Sequence, residues 1–159
     1  MGEIRLVRID SRLSHGKVVE VWTKELGLKT VLIANDRVSG DDFRKKVMNL
    51  TIPEGVKAYY LKVSEVKDFL KDTDEDVFIL VEKPQDLKVF YEDGLDIGHI
   101  NVGIIHMSEG KKSLTEEVAV DHDDLQILKD FLDRGSEVYI RLSPFAQKID
   151  LATIFKKDN

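Results

Sequence analysis

One segment near the start of the chain combines a histidine with closely spaced cations. His15 is preceded by Arg8 and Arg12 and is followed by Gly16 and Lys17. A neutral imidazole can accept a phosphoryl group and release it again, and arginine offers paired donors to phosphate oxygens. Nearby cations lower the pKa of an imidazole and so keep it nucleophilic. From chemistry alone the segment fits either a phosphate site at His15 or a solvated loop with salt bridges.

The position of this segment favours an anion site. Residues 4–9 predict a strand, and the apolar residues that follow the loop at helical spacing are Val18, Val19, Trp22 and Leu26. Backbone N–H groups in the first turn of a helix lack helical partners, and the dipole is positive there. Lys17 is unfavourable at that end of the helix, and a bound phosphate would offset its cost. We expect Arg8, Arg12, Gly16 and Lys17 to hold a phosphate.

The spacing of apolar residues along the rest of the chain predicts a sheet that positions this loop at the carboxyl end of its first strand. Strands are predicted at 30–34, 57–63, 77–81, 99–103 and 137–142, with helices between them. This alternation indicates an α/β fold: one three-layer domain over residues 1–159, with an open, mostly parallel sheet and helices on both faces. The 77–81 run is continuously apolar, as in strands buried on both faces, whereas 137–142 alternates. We therefore expect residues 137–142 at a sheet edge, half exposed, and an antiparallel edge strand.

Capping residues and glycines mark the predicted helix boundaries. Gly27 ends the first helix. Ser39 is predicted to cap a helix that carries Phe43, Val47 and Leu50. Ser64 is predicted to cap the next helix. Asp121 or His122 opens a later one.

Composition excludes several classes of function. The 159 residues include no cysteine, which excludes disulfides, a thiol nucleophile and a cysteine-ligated metal. The net charge of −6 argues against nucleic-acid binding, although residues 1–17 carry four basic and two acidic side chains. No apolar run is long enough to span a bilayer and no signal peptide is visible. We expect a cytoplasmic protein without direct membrane insertion.

Other chemistry-bearing residues give weaker patterns. Ligands of such folds bind outside the carboxyl ends of the strands, so Asn35 and Asp36 are candidates for shaping the pocket and ordering the loop after the first strand. His99, His106 and His122 lack metal-ligand spacing, and we expect no metal site. No phosphate-binding or dinucleotide-binding glycine motif occurs.

The run Arg8-Ile9-Asp10-x-Arg12-Leu13-x-His15-Gly16-x-Val18 resembles the phosphorylation-site motif of a known family. This family is the IIB component of the mannose/fructose/sorbose class of phosphoenolpyruvate-dependent sugar phosphotransferase systems. The similarity covers nearly the whole chain. Further matching features are Trp22, Asn35-Asp36, Pro53 with Gly55, Asn101-Val102-Gly103 and Glu109-Gly110-Lys111-Lys112.

The resemblance implies a function and a set of partners. His15 would be phosphorylated on Nδ1 by a phospho-IIA protein and would pass the group to a sugar at the IIC/IID permease. Arg12 would bind the phosphoryl group and Asp10 would order the loop, without a metal or another cofactor. The chain departs from the family pattern at Ser11, Ser14 and Lys17.

Two other functions stay open at this point. The departures from the motif leave room for a regulatory or anion-binding module on the same fold that transfers no phosphate. A small hydrolase using His15 as a base is a third possibility.

Overall fold

The computed structural model describes residues 1–13 and 16–157, and a mostly parallel sheet forms the centre of this part of the chain. The strands in chain order are β1 (Ile4–Asp10), β2 (Thr30–Ala34), β3 (Lys57–Leu61), β4 (Val77–Val81), β5 (His99–Ile104), β6 (Lys112–Ser113), β7 (Ala119–Val120), β8 (Glu137–Ile140) and β9 (Ile149–Asp150). Within the described residues, seven of them form one sheet in the order β3-β2-β4-β1-β5-β8-β9. β9 runs antiparallel to β8, and the other neighbours are parallel. β6 and β7 form a separate antiparallel pair.

Helices cover both faces of the sheet. They are α1 (Gly16–Leu26), α2 (Asp36–Ser39), α3 (Asp42–Asn49), α4 (Val66–Asp72), α5 (Asp86–Glu92), α6 (His122–Asp133) and α7 (Leu151–Lys157). One core cluster packs α1, α2 and α3 against the sheet, and a second packs α4 to α7 against the opposite face. The predicted three-layer α/β architecture is confirmed.

Burial explains why the central strands are apolar throughout. Every residue of β2 and of β4 is buried, because helices cover both sides of these strands. The helix predicted after the first loop is α1, and Gly27 after it has a φ of 69°, the left-handed conformation that glycine adopts readily at a helix end. Within the described residues, no helix combines the length and the apolar character needed to cross a bilayer.

Two predicted caps are wrong. Ser39 is the last residue of α2, and α3 begins after Asp41, whose side chain accepts a hydrogen bond from the N–H of Arg44 at 3.0 Å. Ser64 lies inside a short 3-10 turn, and Glu65 instead accepts the N–H of Lys62 at 2.7 Å. At Ser39 an acidic side chain two residues further on supplies the acceptor, whereas at Ser64 the 3-10 turn runs directly into α4, whose N-cap residue Glu65 makes no side-chain hydrogen bond to the helix.

The predicted position of the strand at 137–142 is also wrong. β8 lies inside the sheet, between β5 and β9, and three of its four residues are buried. The antiparallel edge strand is the short β9, which arrives after the loop that contains Pro144. Alternation along β8 gave the wrong exposure because both faces of the strand are covered: Val138 and Ile140 belong to one core cluster and Tyr139 to the other.

Candidate functional site

The candidate site lies at the carboxyl ends of β1 and β5. The predicted phosphoryl acceptor His15 and its neighbour Ser14 lie outside the described residues. Leu13 is fully buried in the α1 core cluster with a φ of 60°, a conformation that costs a non-glycine residue about 1–2 kcal/mol. Strained backbone of this kind persists where surrounding packing fixes it, and it is common at functional sites.

The carboxylate of Asp10 fixes both the backbone and the side chain of Arg12. Asp10 is fully buried at the end of β1. Its Oδ1 accepts hydrogen bonds from the N–H of Arg12 at 2.9 Å and from Nε at 3.1 Å, and its Oδ2 accepts one from Nη2 at 3.1 Å. The side chain of Arg12 is 33% exposed, so a held guanidinium reaches solvent three residues before His15. The family resemblance implies this loop-ordering role for Asp10, and these contacts are consistent with it.

Arg8 has a different environment from the one expected of a phosphate ligand. Its guanidinium is fully buried and donates to Asp10 Oδ2 from Nε at 3.4 Å and from Nη2 at 3.3 Å. Nη1 donates to Asn101 Oδ1 at 2.6 Å and to the carbonyl of Arg141 at 3.1 Å. Burial lowers the pKa of Arg8, and the adjacent carboxylate of Asp10 opposes that shift. This geometry makes Arg8 an internal support for Asp10 rather than a residue that faces a ligand.

Gly103 provides the space for that guanidinium. A Cβ built on Gly103 would overlap Cζ of Arg8, so β5 accepts no side chain at this position. Asn101, two residues earlier on the same strand, donates from Nδ2 to the Arg141 carbonyl at 3.0 Å. Neither Asn101 nor Gly103 had a predicted role. The available signal was an asparagine and a glycine inside an apolar strand, where neither is favourable without a specific contact.

The predicted phosphate ligands at the start of α1 are Gly16 and Lys17. Gly16 is the first residue of α1, and a Cβ there would lie 2.6 Å from the carbonyl oxygen of Thr51, so α1 begins in close contact with the chain after α3. The side chain of Lys17 is 72% exposed and its Nζ lies 3.9 Å from a carboxylate oxygen of Glu20. Lys17 therefore has freedom to reorient at the edge of the loop.

Asn35 and Asp36 organise the neighbouring edge of the sheet. The side chain of Asn35 caps α2 by accepting the N–H of Val38 at 3.0 Å, and Asp36 accepts the N–H of Val63 at 2.9 Å. Among the described residues, their side-chain hydrogen bonds thus connect the ends of β2 and β3 rather than the loop after β1. The prediction that they order the phosphate loop is not supported by these contacts.

A second strand end contacts the loop through Ser11. Its N–H donates to the carbonyl of Ile104 at 2.9 Å, and its Oγ accepts the N–H of His106 at 3.0 Å. The exposed segment that starts at His106 is therefore attached to the candidate loop. No separate sequence signal marked this pairing, because it joins residues 95 positions apart.

The comparisons with known proteins agree with this arrangement. Residues 4–159 match the family model described as the IIB component of the sorbose subfamily of the phosphotransferase system. The chain belongs to this family.

Individual relatives of this IIB component match over most of its length. It is 33% identical over 148 residues to the N-acetylgalactosamine-specific phosphotransferase enzyme IIB component 1 of Escherichia coli K12, covering 91% of the chain and 94% of the relative. It is 32% identical to the mannose-specific EIIAB component of the same organism, covering 97% of the chain and 49% of that longer protein. The crystal structure of the IIB domain of the sorbose permease from Klebsiella pneumoniae superposes with a TM-score of 0.89 at 28% identity, covering 99% of this chain and 98% of that one.

Membership of this family gives the chain its general activity. IIB components of sugar phosphotransferase systems are phosphoryl carriers in sugar uptake, and this chain is one of them. At the end of β1 the described residues provide a fixed, partly exposed arginine and the first turn of an 11-residue helix, two features that favour anion binding in general.

Proposed function

We propose that His15 accepts a phosphoryl group from the phosphohistidine of a IIA protein and passes it to a sugar hydroxyl at the IIC/IID permease. The observation that carries the proposal is the double attachment of Arg12 to Asp10, which presents a guanidinium three residues before His15. The activity is that of a protein-phosphohistidine–sugar phosphotransferase acting in the cytoplasm. A IIA unit and a IIB unit share one chain in the mannose-specific EIIAB relative, which supports a IIA partner.

Transfer to His15 replaces one phosphorus–nitrogen bond with another. A ring nitrogen of His15 attacks the phosphorus while the bond to the donor histidine breaks, and the proton on the second ring nitrogen of each imidazole stays in place. In the next step a sugar hydroxyl oxygen attacks the same phosphorus, the phosphorus–nitrogen bond to His15 breaks, and the hydroxyl proton passes to solvent. The reaction needs little more from the protein than alignment and charge stabilisation, which guanidinium and helix N–H donors supply.

Arg12 is suited to exchange one anion for another. Among the described residues its Nη1 has no hydrogen-bond partner, whereas Nε and Nη2 bind Asp10. In the proposed mechanism Arg12 turns some of its donors to the phosphoryl oxygens. Asp10 meanwhile keeps the backbone N–H of Arg12 and the buried guanidinium of Arg8 as partners.

Mapping the acid-labile phosphate tests the proposal. The chain is incubated with phosphoenolpyruvate, the general phosphotransferase proteins and a matching IIA protein, and the label is located by mass spectrometry at alkaline pH. We expect label on the parent and none on His15→Ala. His106→Ala is the matched control, because His106 is an exposed histidine attached to the same loop. Label retained in His15→Ala would refute the assignment, and a parent that binds IIA without labelling would indicate a regulatory module.

A further inference from the structure

The helix α3 presents an apolar face to solvent. Phe43 is 77% exposed, Val47 is 47% exposed and the C-cap residue Leu50 is 85% exposed. The spacing of four and three residues puts all three on one side of the helix. Met48 occupies the opposite side and is buried in the core cluster with Trp22. The three residues whose spacing predicted the helix therefore lie on its exposed side, and no other described element covers them.

This α3 face (Phe43, Val47 and Leu50) adjoins the candidate site. Thr51 follows Leu50 directly, and its carbonyl oxygen is close enough to Gly16 to exclude a side chain there. Gly16 is the residue after His15. The face therefore extends away from the phosphoryl loop along a helix that is about 12 Å long.

Cations border the same face. Helical geometry puts Arg44 on one side of it and Lys46 on the other. Arg12 in the adjoining loop and Lys17 in the first turn of α1 add further cations nearby. Lys45 is paired with Asp42 at 3.5 Å, and Glu20 lies near Lys17. The acidic residues of this helix, Asp41 and Asp42, are at its amino end, away from the loop. An apolar strip with basic borders thus lies next to the loop in a chain whose net charge is −6.

We propose that the α3 face is the docking surface for the phosphoryl donor, a IIA protein that presents an apolar patch bordered by carboxylates. This inference rests on the proposed function. A donor must bring its phosphorus within bonding distance of His15, and a stable interface buries about 800 Å² per partner, a disc of about 16 Å radius. A footprint of that size centred on the loop covers the α3 face. Exposed apolar groups in such a position favour association because docking removes them from water.

Charge favours the donor over the permease as the occupant. Before transfer the donor carries the negative phosphoryl group and the loop of this chain is cationic, so the two surfaces are complementary. After transfer the phosphoryl charge belongs to this chain, which weakens its attraction for the donor. The permease always meets the chain in this second, less basic state.

Removing the apolar side chains tests the docking surface. The double variant Phe43→Ser/Leu50→Ser is compared with the parent and with Tyr91→Ser, which removes a half-exposed aromatic from α5 on the opposite face of the sheet. We expect the KM for phospho-IIA to rise about tenfold in the double variant, with kcat unchanged, as for loss of interface residues. Tyr91→Ser should match the parent. A melting temperature above the assay temperature for each of the three proteins checks that folding is intact.

A binding measurement separates failure of docking from failure of the proposed function. Titration calorimetry with IIA is repeated in the His15→Ala background, where no transfer takes place. We expect the Kd to rise about tenfold on Phe43→Ser/Leu50→Ser in both backgrounds. Unchanged donor affinity would overturn the proposal. In that case a loss of sugar phosphorylation at permease vesicles would assign the face to the permease. A loss of self-association in sedimentation would assign it to a second copy of this chain.

Discussion

Two fully buried carboxylates, Asp10 and Asp124, lie at the carboxyl ends of the strands, but only Asp10 is paired with a residue of the candidate site. Asp10 is held by two arginines from its own strand and loop, Arg8 and Arg12. Asp124 at the start of α6 is held by donors from three separate segments. These donors are Lys111 Nζ at 2.6 Å, Gln85 Nε2 at 2.8 Å and the N–H of Asp121 at 3.1 Å.

The difference lies in the freedom of the cation on each carboxylate. Arg12 is one-third exposed and lies in the loop between β1 and α1, so a second anion can reach it from solvent. Lys111 is 17% exposed and attaches the arm at residues 106–118 to α6. The same pairing chemistry therefore orients a partly exposed cation at Asp10 and attaches the arm at residues 106–118 to α6 at Asp124. Disrupting the first pair should change phosphoryl transfer, and disrupting the second should change stability alone.

The largest effect is expected from Gly103→Ala. The added Cβ must displace the guanidinium of Arg8 and leave Asp10 short of a buried partner. Breaking a buried ion pair costs about 3–5 kcal/mol, so the free energy of unfolding should fall by that amount in urea titrations. Gly98→Ala is the matched control, since a Cβ at Gly98 has nothing within 4 Å. A Gly103→Ala protein as stable as Gly98→Ala would contradict the role given to Arg8.

Arg12→Ala should act mainly on the reaction. Loss of one donor to the phosphoryl group is expected to raise the transfer barrier by about 2–4 kcal/mol, measured as the initial rate from phospho-IIA. The free energy of unfolding should fall by about 1 kcal/mol, because Asp10 keeps its other donors. Arg5→Ala at the opposite end of β1 is the control. A large loss of stability with normal transfer would reverse the assignment.

Lys111→Met should lower the free energy of unfolding by about 1–3 kcal/mol, the range for a hydrogen bond to a charged group, and leave transfer unchanged. Burial alone would raise the pKa of Asp124, but donors from Lys111, Gln85 and Asp121 outweigh it, and the pKa is lowered. A lowered pKa adds stability above the unfolded value of about 4 and loses it as pH falls below that. The difference in unfolding free energy between parent and variant, measured by urea titration, should therefore be smaller at pH 3 than at pH 7. Slower phosphoryl transfer in the variant would contradict the claim that the Asp124 pair affects stability alone.

Lys17→Gln gives the smallest expected effect. A cation in the first turn of α1 opposes the helix dipole, so the substitution should stabilise the unphosphorylated protein by about 0.3–1 kcal/mol. The same change should destabilise the phosphorylated form, because a cation there favours the added negative charge. Melting curves of both forms at low salt measure the effect. As a control, Lys24→Gln in the last turn of the same helix should destabilise the unphosphorylated protein, the opposite sign. If Lys17→Gln shifts the melting temperatures of both forms equally, Lys17 does not interact with the phosphoryl group.

Elements with strong local signals were predicted well. β2 and β4 have the predicted bounds, and α1 ends before Gly27 as expected. Asp121, one of the two predicted openings of α6, is its N-cap. These features depend on residues within a few positions of one another, so spacing and capping chemistry suffice to specify them. The wrong cap at Ser39 arose because Asp41 is the acceptor for α3, and the wrong cap at Ser64 arose because a 3-10 turn leads directly into α4.

Taken alone, the sequence determined the fold class, the strand-to-helix position of the loop and the residues that resemble a phosphorylation motif. Tertiary structure alone decided what each cation near the loop does. Arg8 and Arg12 are four positions apart and chemically identical, yet Arg8 is enclosed because Asn101 and Gly103, more than 90 residues away, provide an acceptor and an open space. Likewise α3 is helical by local periodicity, whereas the exposure of Phe43 depends on which elements pack around it. Burial is a property of the assembled chain, and distant pairings fix it.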